Sequence, residues 1–130
     1  MIEEGRALFL QIAESVEDAI VDGSLTEESQ APSTNELASF YRINPATAAK
    51  GIAMLVDKGV LYKRRGIGMF VAPGARATLL AERRSAFADR YVQPLLAEAR
   101  KLGLGPEELA QLVRERASAP VAASASEGRA

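Results

Sequence analysis

A chain of 130 residues, 25% charged and 48% hydrophobic, is long enough for one modest core or a small domain with an appendage, but not for an enzyme with a separate cofactor module. With no cysteine and no histidine it lacks disulfides, thiolate metal sites, a cysteine nucleophile and the usual parts of zinc and Ser-His chemistry. The net charge of −1 hides a strong segregation, because residues 1–38 carry one base and nine acids while residues 39–76 carry seven bases and one acid, the asymmetry that docks one face onto phosphates.

From Arg6 to Asp22, Leu8, Ile12, Val16 and Ile20 recur at four-residue steps with Phe9, Ala13 and Val21 beside them, and Gly23 follows as a stop. This spacing predicts an amphipathic helix. The polar stretch SLTEESQAP, residues 24–32, predicts a loop. Ser33 lies three residues before Glu36, the spacing of a reciprocal capping box, and a short helix carrying Leu37, Ala38, Phe40 and Tyr41 is expected after it. Arg42 and Ile43 form a tight turn. Asn44 is a good N-cap and Pro45 a good first helical residue, so a third helix is expected from Pro45 to about Lys58, buried along Ala48, Ile52, Leu55 and Val56 and stopped by Gly59. Val60–Lys63 and Met69–Val71 are strand-like runs around a basic, glycine-containing tip, Arg64-Arg65-Gly66-Ile67-Gly68, and predict a β-hairpin. Helix, helix-turn-helix and hairpin in this order describe a winged helix within residues 1–73.

Beyond it, Leu79, Leu80, Ala86, Phe87, Tyr91, Leu95, Leu96 and Leu102 form a broad apolar band at helical spacing from Thr78 to about Lys101, with a kink expected at Pro94. Pro106, Glu107 and Glu108 start a further helix striped by Leu109, Leu112 and Val113. Two such helices cannot bury their apolar faces alone, so residues 74–116 are expected to form a dimerisation hairpin, with Leu80, Phe87, Tyr91, Leu95, Leu96, Leu109 and Leu112 at the contact. The alternative is that the hairpin folds back on its own winged helix. Residues 117–130, small and polar without periodicity, are expected to be a disordered tail. The fold class expected is therefore mostly α with a small β-hairpin, a winged helix-turn-helix domain followed by a two-helix dimerisation region.

If Ala48, Ile52, Leu55 and Val56 face the core, then Ala46, Thr47, Ala49, Lys50 and Ala53 face outward. Such a face is small, almost uncharged and closes on one lysine, which lets a helix backbone come close to base edges. Thr47 offers a hydroxyl and a methyl, Lys50 reaches guanine or phosphate, and Asn44 can bond either. In the hairpin, Lys63, Arg64 and Arg65 are suited to flanking phosphates, and Gly66 to backbone pressed into a minor groove. The same glycines and bases also serve a turn and a guarded sheet edge. Ser33, Thr47 and Tyr62 are potential nucleophiles, but no base is spaced to activate them, and enzyme activity is not expected.

The stretch from Ala31 to Val71, APSTNELASFYRINPATAAKGIAMLVDKGVLYKRRGIGMFV, resembles the winged-helix domain of GntR-family bacterial transcription regulators, and INPATAAKG with KRRGIGMFV is most similar to the short YtrA-type subfamily. The resemblance implies DNA contacts at Ser33, Thr34, Asn44, Thr47, Lys50 and Gly66, and a short helical C-terminal dimerisation region. Three positions depart from the family pattern: Asn35 stands where an arginine is frequent, although it could still contact a base, Glu28 where glycine is common, and Ile67 where a basic or polar residue is usual. The implied function is a homodimeric, sequence-specific DNA-binding regulator, most simply a repressor on a palindromic double-stranded operator. A winged-helix protein-interaction module, or a non-specific DNA-binding module, is the alternative. No cofactor or metal is expected, and no residue set nominates a small-molecule effector. No secretory pattern or apolar run of membrane-spanning length is seen, so a cytoplasmic location without membrane attachment is expected.

Overall fold

The computed structural model describes residues 6–119, so that most of the tail expected from residue 117 lies outside the described residues. The chain divides into two compact units, the first ending at Arg84 and the second beginning at Ser85. The first unit holds α1 (Leu8–Val21), α2 (Thr34–Tyr41), α3 (Pro45–Asp57), the hairpin strands β1 (Leu61–Arg64) and β2 (Gly68–Val71), and most of α4 (Ala75–Phe87). This is the winged helix-turn-helix expected from the sequence.

Local chemistry sets each boundary. Ser33 Oγ accepts from the Glu36 amide at 3.0 Å while the Glu36 carboxylate accepts from the Ser33 amide at 2.8 Å, closing the capping box at the start of α2. Asn44 Oδ1 accepts from the Ala46 amide at 2.8 Å, with Pro45 in the first turn of α3. Between them Arg42 adopts a left-handed conformation, φ 57°, that reverses the chain in three residues. The hairpin pairs Leu61 with Val71, Tyr62 with Phe70, Lys63 with Met69 and Arg64 with Gly68, leaving Arg65, Gly66 and Ile67 as the loop.

The core of this unit gathers Ile12, Val16 and Ile20 from α1, Leu37 and Ala38 from α2, Ala48, Ile52 and Leu55 from α3, Val60, Leu61 and Val71 from the hairpin region, and Ala75 and Leu79 from α4. Each fully buried aliphatic side chain contributes about 1.5–3 kcal/mol relative to exposure. Leu8, grouped by its spacing with the α1 stripe, is 36% exposed. Val56 is half-buried at the edge of the core. Gly51 makes the α1–α3 crossing possible: a Cβ there would stand 2.8 Å from the Phe9 carbonyl oxygen.

Polar ties fasten α4 to the same unit, which therefore reaches past Pro73. The Glu27 carboxylate accepts from the amides of Gly74 and Arg76 at 2.9 and 3.2 Å, filling the role of a cap at the helix start. Arg76 Nε donates to the Val21 carbonyl at 2.9 Å, and Arg83 pairs with Asp18 at 2.6 Å. Lys58 bridges buried Glu17, at 2.6 Å, to Glu82, at 2.8 Å. Burial works to lower the Lys58 pKa, but the hydrogen bonds and charges of Glu17 and Glu82 outweigh it and raise the group above its ordinary value.

The loop expected at 24–32 is irregular only in its first half. Glu28 and Ala31 donate to the carbonyls of Val71 and Met69, both at 2.8 Å, and Val71 donates back to Ser29 at 3.0 Å. The segment thus lines the outer edge of β2 as a rudimentary third strand, with a bridge between Gln30 and Phe70.

In the second unit the residues just before Pro94, where a kink is expected, leave the α-helical pattern. The helical path runs through a π-helical turn, Ala88–Val92, into α5 (Gln93–Lys101). The Gln93 amide donates to the Ala88 carbonyl, a bond across five residues, so the ladder is re-set just before the proline that cannot donate. After a turn at Leu102–Gly105, α6 (Pro106–Ala117) begins with the Gly105 amide donating to Glu108 at 2.9 Å. Ala99 and Leu109 are buried.

Candidate nucleic-acid interface

Two helix N-termini and the hairpin carry the residues singled out from the sequence for DNA contact. At the start of α2, Ser33 and Asn35 are exposed and Thr34 is half-buried. Ser33 is the N-cap, and Thr34 and Asn35 are the first two helical residues, so these side chains stand beside a partially positive helix end. At the start of α3, Asn44, Ala46, Ala49 and Lys50 are exposed and Thr47 is half-buried. The outward face of α3 is thus small, as its spacing predicted. With Oδ1 committed to the cap, Asn44 keeps its amide NH2 as the outward group.

Lys50 is exposed but not unsupported: its ammonium lies 4.1 Å from the centre of the Phe9 ring, a cation–π contact that holds the side chain against α1. The pairing joins residues 41 positions apart, and nothing in the local sequence of either signals it.

The hairpin bases differ in their surroundings. Lys63, Arg65 and Gly66 are exposed, and among the described residues no hydrogen bond or ion pair engages the Lys63 or Arg65 side chain. Arg64 is engaged: Nη2 donates to the Tyr62 hydroxyl at 2.8 Å, Nε to the same oxygen at 3.2 Å, and the guanidinium lies 4.1 Å from the Phe70 ring centre. Glu28 completes the cluster, 3.4 Å from Arg64 and accepting from the Tyr62 hydroxyl.

Gln30 supports the loop from below, its Nε2 donating to the Ile67 carbonyl at 3.0 Å. Gly68 has φ 141°, which favours glycine, and a Cβ there would come within 2.7 Å of that nitrogen, so a larger residue would also displace the Gln30 side chain. Glu28, Gln30 and Phe9 act at this surface without having been sequence candidates for it. Of these only Glu28 gave a signal, as an acid where the family pattern has glycine.

The apolar residues assigned to dimerisation lie along the helices after the hairpin. Leu80 is 38% exposed, Phe87 57%, Tyr91 54%, Leu95 45% and Leu112 39%, while Leu96 is half-buried and Leu109 is buried within the chain. The Phe87 and Tyr91 rings are in contact, tilted by 48° with centres 5.5 Å apart. No helix of the described residues is long and apolar enough to cross a membrane, and no group of acids among them could hold a metal ion.

Residues 8–71 match the family described as bacterial regulatory proteins, gntR family. A putative transcriptional regulator of the GntR family from Bacteroides thetaiotaomicron is 32% identical, with a TM-score of 0.69 over 84% of this chain and 95% of its own. The HTH-type transcriptional repressor YtrA of Bacillus subtilis (strain 168) is 25% identical over 108 residues, 83% of this chain and 82% of that protein. The DNA-binding domain of AraR, solved in complex with operator ORX1, is 27% identical, with a TM-score of 0.50 over 55% of this chain and 93% of that one. Capped helix N-termini, a small outward face on α3 and a basic hairpin loop therefore occur in a chain that matches these regulators over most of its length, and the chain belongs to the GntR family of transcriptional regulators.

Proposed function

We propose that this regulator is a homodimeric repressor that binds a palindromic operator. In this reading the N-terminal half of α3 enters the major groove, where Asn44, Thr47 and Lys50 meet base edges or phosphates and Ala46 allows close approach. Ser33, Thr34 and Asn35 meet the backbone at the start of α2, where amide donors and the helix dipole favour an anion. Lys63, Arg64, Arg65 and Gly66 lie along the adjacent minor groove.

The observation that carries this reading is the exposed, small face of α3 directly after a capped N-terminus, with the exposed bases of the hairpin loop in the same unit. A solvated helix surface has no need of such a face. Support for a dimer comes from the second unit, which leaves Phe87, Tyr91, Leu95 and Leu112 exposed, apolar area that a second copy would cover. Support for repression comes from YtrA, named as a repressor, and support for an operator from the AraR complex. Occupancy of a promoter is sufficient to block it, so no effector site or catalytic step is required.

The test is capture of fragments of the source genome by purified protein at physiological salt, followed by sequencing. A single enriched palindrome with half-site centres about ten base pairs apart is expected. Uniform recovery without a motif would overturn the sequence-specific reading.

A further inference from the structure

We infer that Glu28 is an intramolecular competitor for Arg64, holding this guanidinium on the hairpin face and thereby limiting the protein's affinity for DNA. The inference rests on the proposed role of the hairpin at phosphates.

The geometry is specific. Glu28 occupies the left-handed region at φ 67°, a conformation a non-glycine residue adopts only when its surroundings impose it. Its amide donates to the Val71 carbonyl at 2.8 Å, which fixes the backbone against β2 and sets the carboxylate beside Tyr62 and Arg64. The Tyr62 hydroxyl donates to Glu28 Oε1 and accepts from Arg64, and Arg64 Nη2 lies 3.4 Å from the same carboxylate oxygen. The Phe70 ring packs against the guanidinium at 4.1 Å. Arg64 is therefore restrained by an acid, a phenol and a ring at once.

A carboxylate and a phosphate are alternative acceptors for the same planar donor fork. Glu28 thus occupies the electrostatic position that a DNA phosphate would take on Arg64, and its own charge repels that phosphate. The Arg64 and Glu28 side chains are 44% and 50% exposed, so the pair is weak and solvent-screened, and displacement by DNA is possible but opposed. Lys63 and Arg65, not held in this way, contact phosphate first, while Arg64 contributes only after release. The acid at position 28 tunes affinity downward, which keeps non-specific binding low and leaves more of the discrimination to α3.

The experiment compares wild type, Glu28→Gln, Arg64→Ala and the double variant for binding to a fluorescein-labelled 30-base-pair duplex of random sequence at several salt concentrations. A random duplex suffices because phosphate contacts are independent of sequence. Glu28→Gln is expected to bind about threefold to tenfold more tightly, with a log–log salt slope steeper by about 0.9 per chain, and to gain nothing in the Arg64→Ala background. Thermal unfolding of each variant identifies any that has lost its fold, and Glu28→Asp, which keeps the charge but shortens its reach, then replaces a misfolded Glu28→Gln, with a smaller gain expected. Unchanged or weaker binding on loss of the Glu28 contact, while wild type binds the duplex, would overturn the competitor role and leave the DNA-binding reading standing. A gain that persists without Arg64 would also overturn it, since a general repulsive field would be the cause. Failure of every folded variant to bind the duplex would remove the DNA-binding reading itself, and this inference with it.

Discussion

The Lys50 ammonium lies 4.1 Å from the centre of the Phe9 ring, so the one cation on the exposed N-terminal half of α3 is carried on a support supplied by α1. The perch restricts a flexible side chain before any partner arrives and reduces the ordering cost of binding. Lys50→Ala is expected to weaken operator binding by about 1–3 kcal/mol. Phe9→Leu, which keeps the charge and removes the ring, is expected to cost less than about 1 kcal/mol. Titrations at several salt concentrations also assign the contact, since a slope reduced by about one per chain marks a phosphate. If Lys50→Ala changes neither the constant nor the slope, Lys50 does not belong to the interface.

Gly51→Ala tests the crossing of α1 and α3. In an exposed helix this change gains about 1 kcal/mol, but here the new methyl would meet the Phe9 carbonyl at 2.8 Å and the Ile12 side chain at 3.4 Å. The carbonyl is backbone and cannot rotate away. A net loss of about 1–3 kcal/mol is expected, read from urea denaturation. Stabilisation would show that the two helices can part at little cost.

Lys58 joins α1, α3 and α4 through Glu17 and Glu82. Removing it as Lys58→Met leaves the Glu17 carboxylate buried without its partner and is expected to cost about 1–3 kcal/mol at pH 7, less than for a fully buried pair because Lys58 retains some exposure. The folded-state pKa of this lysine is raised above its ordinary 10.5. Its stabilisation is therefore complete below the unfolded-state value, near 10.4, and is lost as pH rises through the raised folded value. The gap between wild type and variant in urea denaturation should narrow above about pH 10.5; a gap that stays constant would mean the ammonium charge is not what stabilises.

The exposed stripe of the second unit makes its own prediction. Leu95 is 45% exposed, so Leu95→Glu should leave the chain folded. It should convert dimer to monomer in sedimentation equilibrium and weaken operator binding by at least about tenfold, because the half-sites must then be bound independently. A variant that still sediments as a dimer would place the interface elsewhere.

Truncation separates the two units. A fragment ending at Arg84 keeps Ala75, Leu79 and the Lys58–Glu82 and Asp18–Arg83 pairs. A fragment ending at Pro73 loses them, including about 1.5–3 kcal/mol from Leu79 alone. The longer fragment is expected to melt cooperatively as a monomer and the shorter one at a markedly lower temperature. Equal melting temperatures would show that α4 contributes no stability to the first unit.

The capped helices and the hairpin were legible because their signals are local. Ser33 and Glu36 are three residues apart, and Asn44 and Ala46 two, so one short window holds both partners of each bond. What escaped the sequence joins distant residues. Glu28, Ser29 and Ala31 pair with β2 through backbone atoms, which leave no side-chain pattern, and a polar stretch reads as loop whether or not its amides find a strand. Gly51 carries no local signal of its role, which depends on the Phe9 carbonyl beside it. Leu8 keeps the spacing of the α1 stripe yet is 36% exposed, since periodicity gives the direction of a side chain but not the extent of what covers it.

The π-helical turn at Ala88–Val92 has a consequence for how this part of the sequence can change. Each α-helical residue advances the chain by about 100° around the axis, and a π turn takes up a residue without adding its full share of that rotation. Leu95 and Leu96 therefore point much as they would if the turn held one residue fewer. Deleting one residue between positions 88 and 92 would restore an unbroken α-helical ladder up to the proline and leave the residues beyond it close to their present direction around the axis. This segment can therefore lose a residue more readily than the regular helices on either side, where a single deletion would rotate everything beyond it by about 100°.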